Sequence, residues 1–197
     1  GFATKETQFL VVAILAIALM VIARGDVGLW LWGHKKFSEF SNKGSALLVL
    51  VILTAPISGA MAGAFQGIFD ITLAAREGQG LPTGSPDGVG MGIAIAISLI
   101  LLAISVGVGF LWNRRLVWRV MAIFWVIFFL LYTTFGTNLE GFATGVWQSL
   151  GYWIGQQNVH RGDQPAYYYL ILSAVYEFLP WVVAIGGSFY YIRKGDT

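Results

Sequence analysis

Along this chain, long apolar runs alternate with short polar stretches, and the alternation predicts the elements. Apolar residues dominate 7–23, 44–69, 91–112, 116–135 and 166–192. Each run is close to the ~20 residues that a helix needs to cross the hydrocarbon of a bilayer. The expected fold is therefore an all-α integral membrane protein with about five transmembrane helices. The first run sits at the short limit for spanning and ends at Arg24. The stretch 25–43 reads as a loop, with Trp30 and Trp32 as interfacial anchors. In the second run Pro56 predicts a kink, and Gly59, Gly63 and Gly67 fall four apart, which on a helix stacks them on one packing face. Residues 70–90 contain LPTGSPDGVG, a plain turn-and-loop signal, and Asn113-Arg114-Arg115 predicts a tight basic turn. The last run ends at Arg193-Lys194.

The loop 136–165 carries a pattern of its own. Asn138 stands where an N-cap would, and Leu139, Phe142, Val146, Leu150, Trp153 and Ile154 recur at three- and four-residue spacing. That predicts an amphipathic helix in the outer interface, packed on its neighbours, with Trp147, Tyr152 and Trp153 at headgroup level.

Charge orients the spans. Basic residues cluster at 24–43, 114–119 and 193–194, three places that alternation puts on one side. The mildly acidic stretch 70–90 and the loop 136–165 fall on the other. The positive-inside rule then makes the basic side and the C-terminus cytoplasmic, and loops 70–90 and 136–165 extracytoplasmic, in a multi-pass protein of the cell membrane.

Composition strengthens this reading. The 197 residues are 57% hydrophobic and only 11% charged, where soluble domains run at about a quarter charged. Eight Trp, eight Tyr and fourteen Phe suit the headgroup region. The net charge of +2 gives no reason to expect nucleic acid. Without cysteine there is no disulfide, thiolate metal site or covalent haem attachment. The opening, GFATKETQFL, has neither an initiator Met nor a signal-peptide pattern, and is expected to continue a longer chain.

Candidate chemistry is sparse. The two histidines, His34 and His160, fall on opposite faces, so they cannot jointly ligate a haem or a metal ion. Glu177 lies about eleven residues into the last run, roughly 16 Å along a helix and near the bilayer middle. A carboxylate there either serves as a relay or substrate contact, or pins helices together through a hydrogen bond. Lys5 and Glu6 are interfacial anchors or, for Lys5, a contact to a lipid-linked phosphate at the outer mouth of a cavity. His160 and Arg161 belong to a solvated loop or add to that positive charge. Tyr167, Tyr168 and Tyr169 form an aromatic belt or turn hydroxyls toward a sugar or phosphate. No phosphate loop, dinucleotide fingerprint, zinc-protease motif or nucleophile elbow occurs.

Several segments nevertheless carry a family likeness. YTTFGTN at 132–138, SLGYWIGQQNVHRGDQPAYYYL at 149–170, YEFLP at 176–180 and FATKET at 2–7 resemble the flippase-activity-associated membrane proteins, which belong with the protein-mannosyltransferase-like GT-C glycosyltransferases. His160, Pro165, Tyr168-Tyr169-Leu170 and Pro180-Trp181 also follow a broader GT-C pattern. The resemblance implies an enzyme that takes a sugar from a polyprenyl-phosphate donor on the extracytoplasmic face. Lys5 would lie near the donor phosphate, and His160, Arg161 and Tyr167–Tyr169 would line the donor or acceptor cavity. The lipid-linked sugar is a substrate, no resident cofactor is implied, and a divalent metal stays open. GT-C enzymes carry their catalytic Asp or Glu in the first outer loop, which precedes a FATKET-like segment. No residue here answers to it, since Asp70 and Asp87 lie in an unrelated loop, so the catalytic group is unassigned and the chain is expected to be a C-terminal part. Two other classes stay open: a non-catalytic integral subunit of a larger respiratory or photosynthetic membrane complex, and a transporter or flippase component.

Overall fold

The structure, a computed structural model, describes residues 8–156, 167, 175 and 178–194. It divides into two compact units, Gly1–Asn158 and Val159–Thr197. The described residues are helical with no strand.

In the first unit, α1 (Gln8–Ile22) is apolar after Gln8, carries no charge and buries none of its residues fully. It gives way at Ala23 to α2 (Arg24–Leu31), bent from it by 75°. The expected loop over 25–43 is corrected here: its first part is helical. Asp26 is the reason. It lies inside the fold at 8% exposure, where it receives hydrogen bonds from the Lys35 ammonium, the Ser41 hydroxyl and the Ser41 backbone N–H. Ser41 in turn caps α3 (Asn42–Thr54) by accepting the Gly44 N–H.

The expected single helix over 44–69 is also broken. Pro56 sits in a short 3-10 turn, Ala55–Ile57, followed by a second 3-10 segment, Gly59–Phe65, and the short α4 (Gln66–Phe69). The two halves meet at 63°. Because a 3-10 helix turns every three residues, Gly59, Gly63 and Gly67 do not share a face. A methyl group at Gly59 would meet Trp147 and Ile97, one at Gly63 would stand 2.9 Å from the Ala74 methyl, and one at Gly67 would meet nothing within 4 Å.

Residues 70–87 form more than a plain loop. The Asp87 N–H donates to the Thr72 carbonyl, and the Ala75 and Gly84 N–H groups donate to the Ser85 and Ala75 carbonyls. Leu73, Ala74 and Ala75 are buried. Pairing of this kind is what allows a non-helical backbone to be buried at all.

Asp87 caps α5 (Gly88–Tyr132) by accepting the Gly90 N–H at 2.6 Å. This element is long and apolar enough to cross a membrane; α1 with α2, and Asn42–Ile57 with Gly59–Phe69, qualify only when each bent pair is counted as one. Straight, its 45 residues would reach about 68 Å, over twice the hydrocarbon thickness. Instead it breaks at Asn113, whose φ of −157° and ψ of 96° are not helical and whose Oδ1 accepts the Leu116 N–H at 3.1 Å. Beyond the break, Val117 and Met121 share a core with Leu102 and Val106, so the arms 88–112 and 114–132 lie back against each other. The expected basic turn is present, with the helical run continuing through it.

After Tyr132 the chain turns through Thr134, Phe135 and Gly136, all at positive φ. It then forms α6 (Glu140–Ala143), a π-helical turn (Thr144–Gln148) and α7 (Ser149–Gly155) in unbroken succession. The expected helix is there, but its cap and its buried stripe differ. Leu139, not Asn138, occupies the cap position, and no side chain caps it. Leu139 is exposed, while Gly141, Gly145, Trp147, Leu150, Gly151 and Ile154 are buried. The wider π turn advances the stripe by part of a turn and carries Trp147 inward. Trp147 is buried there and donates its indole N–H to the Leu73 carbonyl at 2.8 Å.

The second unit contributes α8 (Phe178–Lys194), whose last turn carries Arg193 and Lys194, with the Arg193 guanidinium 5.9 Å over the Phe189 ring.

Candidate functional site

The first unit has two chemically different ends. At one, the 33–41 segment and α3 meet the Asn113 break: the Trp112 indole donates to Ser45 Oγ at 3.1 Å, and Leu111 shares a cavity with Lys35 and Lys36. At the other, helices α6 and α7 cover the 70–87 segment. Lys and Arg predominate at the first end (Arg24, Lys35, Lys36, Lys43, Arg114, Arg115), and acids at the second (Asp70, Glu77, Asp87, Glu140, against Arg76).

The acidic end is built by close backbone approach. A methyl at Gly151 would stand 2.2 Å from the Gly84 carbonyl oxygen, and one at Gly141 2.0 Å from that of Tyr132. Gln66 ties the buried strip down: its Oε1 accepts the Leu73 and Ala74 N–H groups at 2.9 and 2.8 Å, and its Nε2 donates to the Ala74 carbonyl at 3.0 Å. The Gln148 amide donates to the Thr83 carbonyl at 3.2 Å.

Between this cover and the arms of α5 runs a groove of two cavities. The first, about 540 Å³, is walled by Leu102, Val106, Trp118, Met121 and Trp125. The second, about 410 Å³, lies toward the acidic end and adds Ser85, Glu140, Thr144 and Gln148 to Met91 and Ile95. Ser98, Leu99, Phe142 and Val146 line both, which makes the path continuous. Its length is apolar and its mouth polar, with Glu140 the one carboxylate among the lining residues. Such a shape takes an apolar chain with a hydroxylated or amide-accepting head.

The expected site residues fare differently. Lys5, His160, Arg161, Tyr168, Tyr169 and Glu177 lie outside the described residues, as does Glu6. Tyr167 is described, belongs to the second unit and is 62% exposed. The groove is built from the first unit alone. Glu140 and Gln148 were not singled out by pattern; the available signal was Gly141 and Gly145, four apart and flanking the position where helix and α5 touch. Asp26 was also missed. The Lys35 ammonium, with the Ser41 hydroxyl, holds its carboxyl below the usual carboxylate range against the opposing effect of burial. Among the described residues no three His, Cys, Asp or Glu side chains gather as a metal site would require. Compared with protein-family models, curated proteins and solved structures, the chain matches none.

Proposed function

We propose that the chain is a membrane-embedded GT-C-type glycosyltransferase, or the C-terminal half of one, that moves a sugar from a polyprenyl-phosphate donor on the extracytoplasmic face. The groove carries this reading: an apolar path between helices, opening at a polar mouth on the acidic end of the unit. The polyprenyl tail would lie along α5, and the head would reach Glu140, Gln148 and Thr144, where sugar hydroxyls find acceptors and an amide. Support also comes from the likeness of 149–170 and 176–180 to that family. With the spans 7–23, 44–69, 91–112, 116–135 and 166–192 crossing the bilayer, the basic end faces the cytoplasm and the mouth faces outward. The family likeness alone assigns Lys5 to the donor phosphate and His160, Arg161 and Tyr167–Tyr169 to the donor or acceptor cavity. In the transfer, an acceptor oxygen bonds to the anomeric carbon as its bond to phosphate breaks. Polyprenyl phosphate leaves with the electron pair, and the acceptor proton passes to a base that we do not assign.

The same groove favours a second reading. Its first cavity is almost wholly apolar, which suits a carotenoid-like lipid held by a non-catalytic subunit of a larger respiratory or photosynthetic complex. Photocrosslinking separates the two. A diazirine-bearing short-chain polyprenyl phosphate should label 98–125 and 142–148, and unlabelled polyprenyl phosphate should compete while a phosphate-free polyprenol does not. Equal competition by the polyprenol supports the subunit reading. Labelling spread along α1 sinks both.

A further inference from the structure

A second cavity system lies at the basic end, far in kind from the groove. It is an open cavity of about 310 Å³ between Trp30, Phe37 and Leu111 on its apolar side and Lys35, Lys36 and Ser38 on its polar side. Its walls are fixed. The Trp30 and Phe37 rings stack at 4.9 Å between centroids, and the His34 and Gly33 N–H groups close the end of α2 onto Leu29 and Trp30. Asp26 anchors both Lys35 and Ser41, so the segment between them is tied at each end.

The two lysines play different parts. Lys35 is committed to Asp26. The Lys36 side chain is exposed, and no acid among the described residues pairs with its ammonium; Glu39 instead accepts the Lys36 backbone N–H. The segments that supply its lining, 24–43 and 111–115, also carry Arg24, Lys43, Arg114 and Arg115, against Asp26 and Glu39. Beside these cations Leu31 is 69% and Trp32 81% exposed, the juxtaposition that marks a membrane–water interface. Next to Leu111, the Arg114 guanidinium is held 5.7 Å above the Phe110 ring.

We propose that this cavity binds the phosphate headgroup of an anionic glycerophospholipid, with Lys36 as its charged contact and Ser38 as a hydroxyl donor. The acyl chains would continue past Leu111 into the bilayer. The lipid, not a soluble phosphate, is indicated because Leu31 and Trp32, which fall between the lining residues Trp30 and Gly33 in the chain, leave large apolar side chains exposed. This inference does not depend on the glycosyltransferase reading.

Native mass spectrometry of the chain, released from detergent and titrated with phosphatidylglycerol or phosphatidylcholine, tests it. One phosphatidylglycerol should bind ahead of phosphatidylcholine. Lys36→Gln should weaken that step about fivefold, Lys36→Arg should restore it, and Lys43→Gln, outside the cavity, should leave it within about twofold. Equal losses for K36Q and K43Q would mean a diffuse field with no site and overturn the proposal. So would displacement of the lipid by millimolar inorganic phosphate, which would identify a soluble anion as the occupant. Unchanged circular dichroism of K36Q keeps a folding defect from imitating the loss.

Discussion

The two ends of the first unit hold irregular backbone in place by opposite means. The basic end relies on charge: one carboxylate, Asp26, gathers an ammonium, a hydroxyl and a backbone N–H from residues 9 and 15 positions away. The acidic end relies on neutral bonds and on the absence of side chains, with Gly84, Gly151 and Gly155 letting two backbones touch. The difference follows from what each end must do. A clamp of ions tolerates water and displacement, whereas a floor made of backbone contacts admits neither and so can wall a groove.

The comparison is easiest to break at Gly84. Its φ is +83°, and a methyl there would stand 2.1 Å from the Tyr152 nitrogen and 2.5 Å from the Gly151 carbonyl carbon. Gly84→Ala should cost about 3 kcal/mol or more, combining left-handed strain with overpacking against atoms that cannot move aside. Gly78 has a similar φ of +86° but nothing within 4 Å, so Gly78→Ala should cost only about 1 kcal/mol. Melting of the two variants in detergent, followed by circular dichroism, gives the contrast. Equal losses would show that the backbone approach matters little.

A smaller effect is expected at Gln66. Gln66→Leu removes three hydrogen bonds and leaves the buried Leu73 and Ala74 amides without acceptors, at a cost of about 2–3 kcal/mol. Hydrogen exchange at those two amides should rise far more than at Leu48 or Ile52 in the other core. If exchange rises evenly across both, the ends are not separately held.

How much of this could be read from residue order depends on what produced each feature. Breaks with a local cause were legible: Pro56 disrupting the second run and Asn113 turning α5 back. Helix α2 was not, because RGDVGLWL gains its reason to fold inward from Lys35 and Ser41, distant partners that no local pattern names. The glycines at 59, 63 and 67 suggested one face only because a 3.6-residue turn was assumed, and the 3-10 period rotates them apart. The π turn at Thr144–Gln148 misled in the same way, bringing Trp147 into the buried stripe. Hydropathy also passed over residues 71–75, since their burial comes from backbone approaching glycine and leaves no apolar period. The groove's mouth was hidden: Glu140 and Gln148 are ordinary polar residues until the helix that carries them is laid across α5.

The subtlest test separates the ends by pH. Asp26 lies beyond the apolar run 7–23, and its carboxyl is held below its ordinary value chiefly by the Lys35 ammonium. A depressed folded pKa contributes stability that is complete above the unfolded value of about 3.9 and is lost as pH falls through the folded one. Asp26→Asn should therefore cost about 1–2 kcal/mol at neutral pH, where charge-assisted bonds are lost. That deficit should stay flat from about pH 5 upward and close as pH drops below about 4, because the wild type then surrenders the same interaction. Gln66 and Trp147 do not titrate, so the deficit of Gln66→Leu should keep its size across the same range. Melting curves of the two variants and the parent at successive pH values give both results together. A pH-independent D26N deficit would mean that Asp26 acts by shape and hydrogen bonding alone, and the charge-based account of the basic end would fall while the neutral account of the acidic end stood.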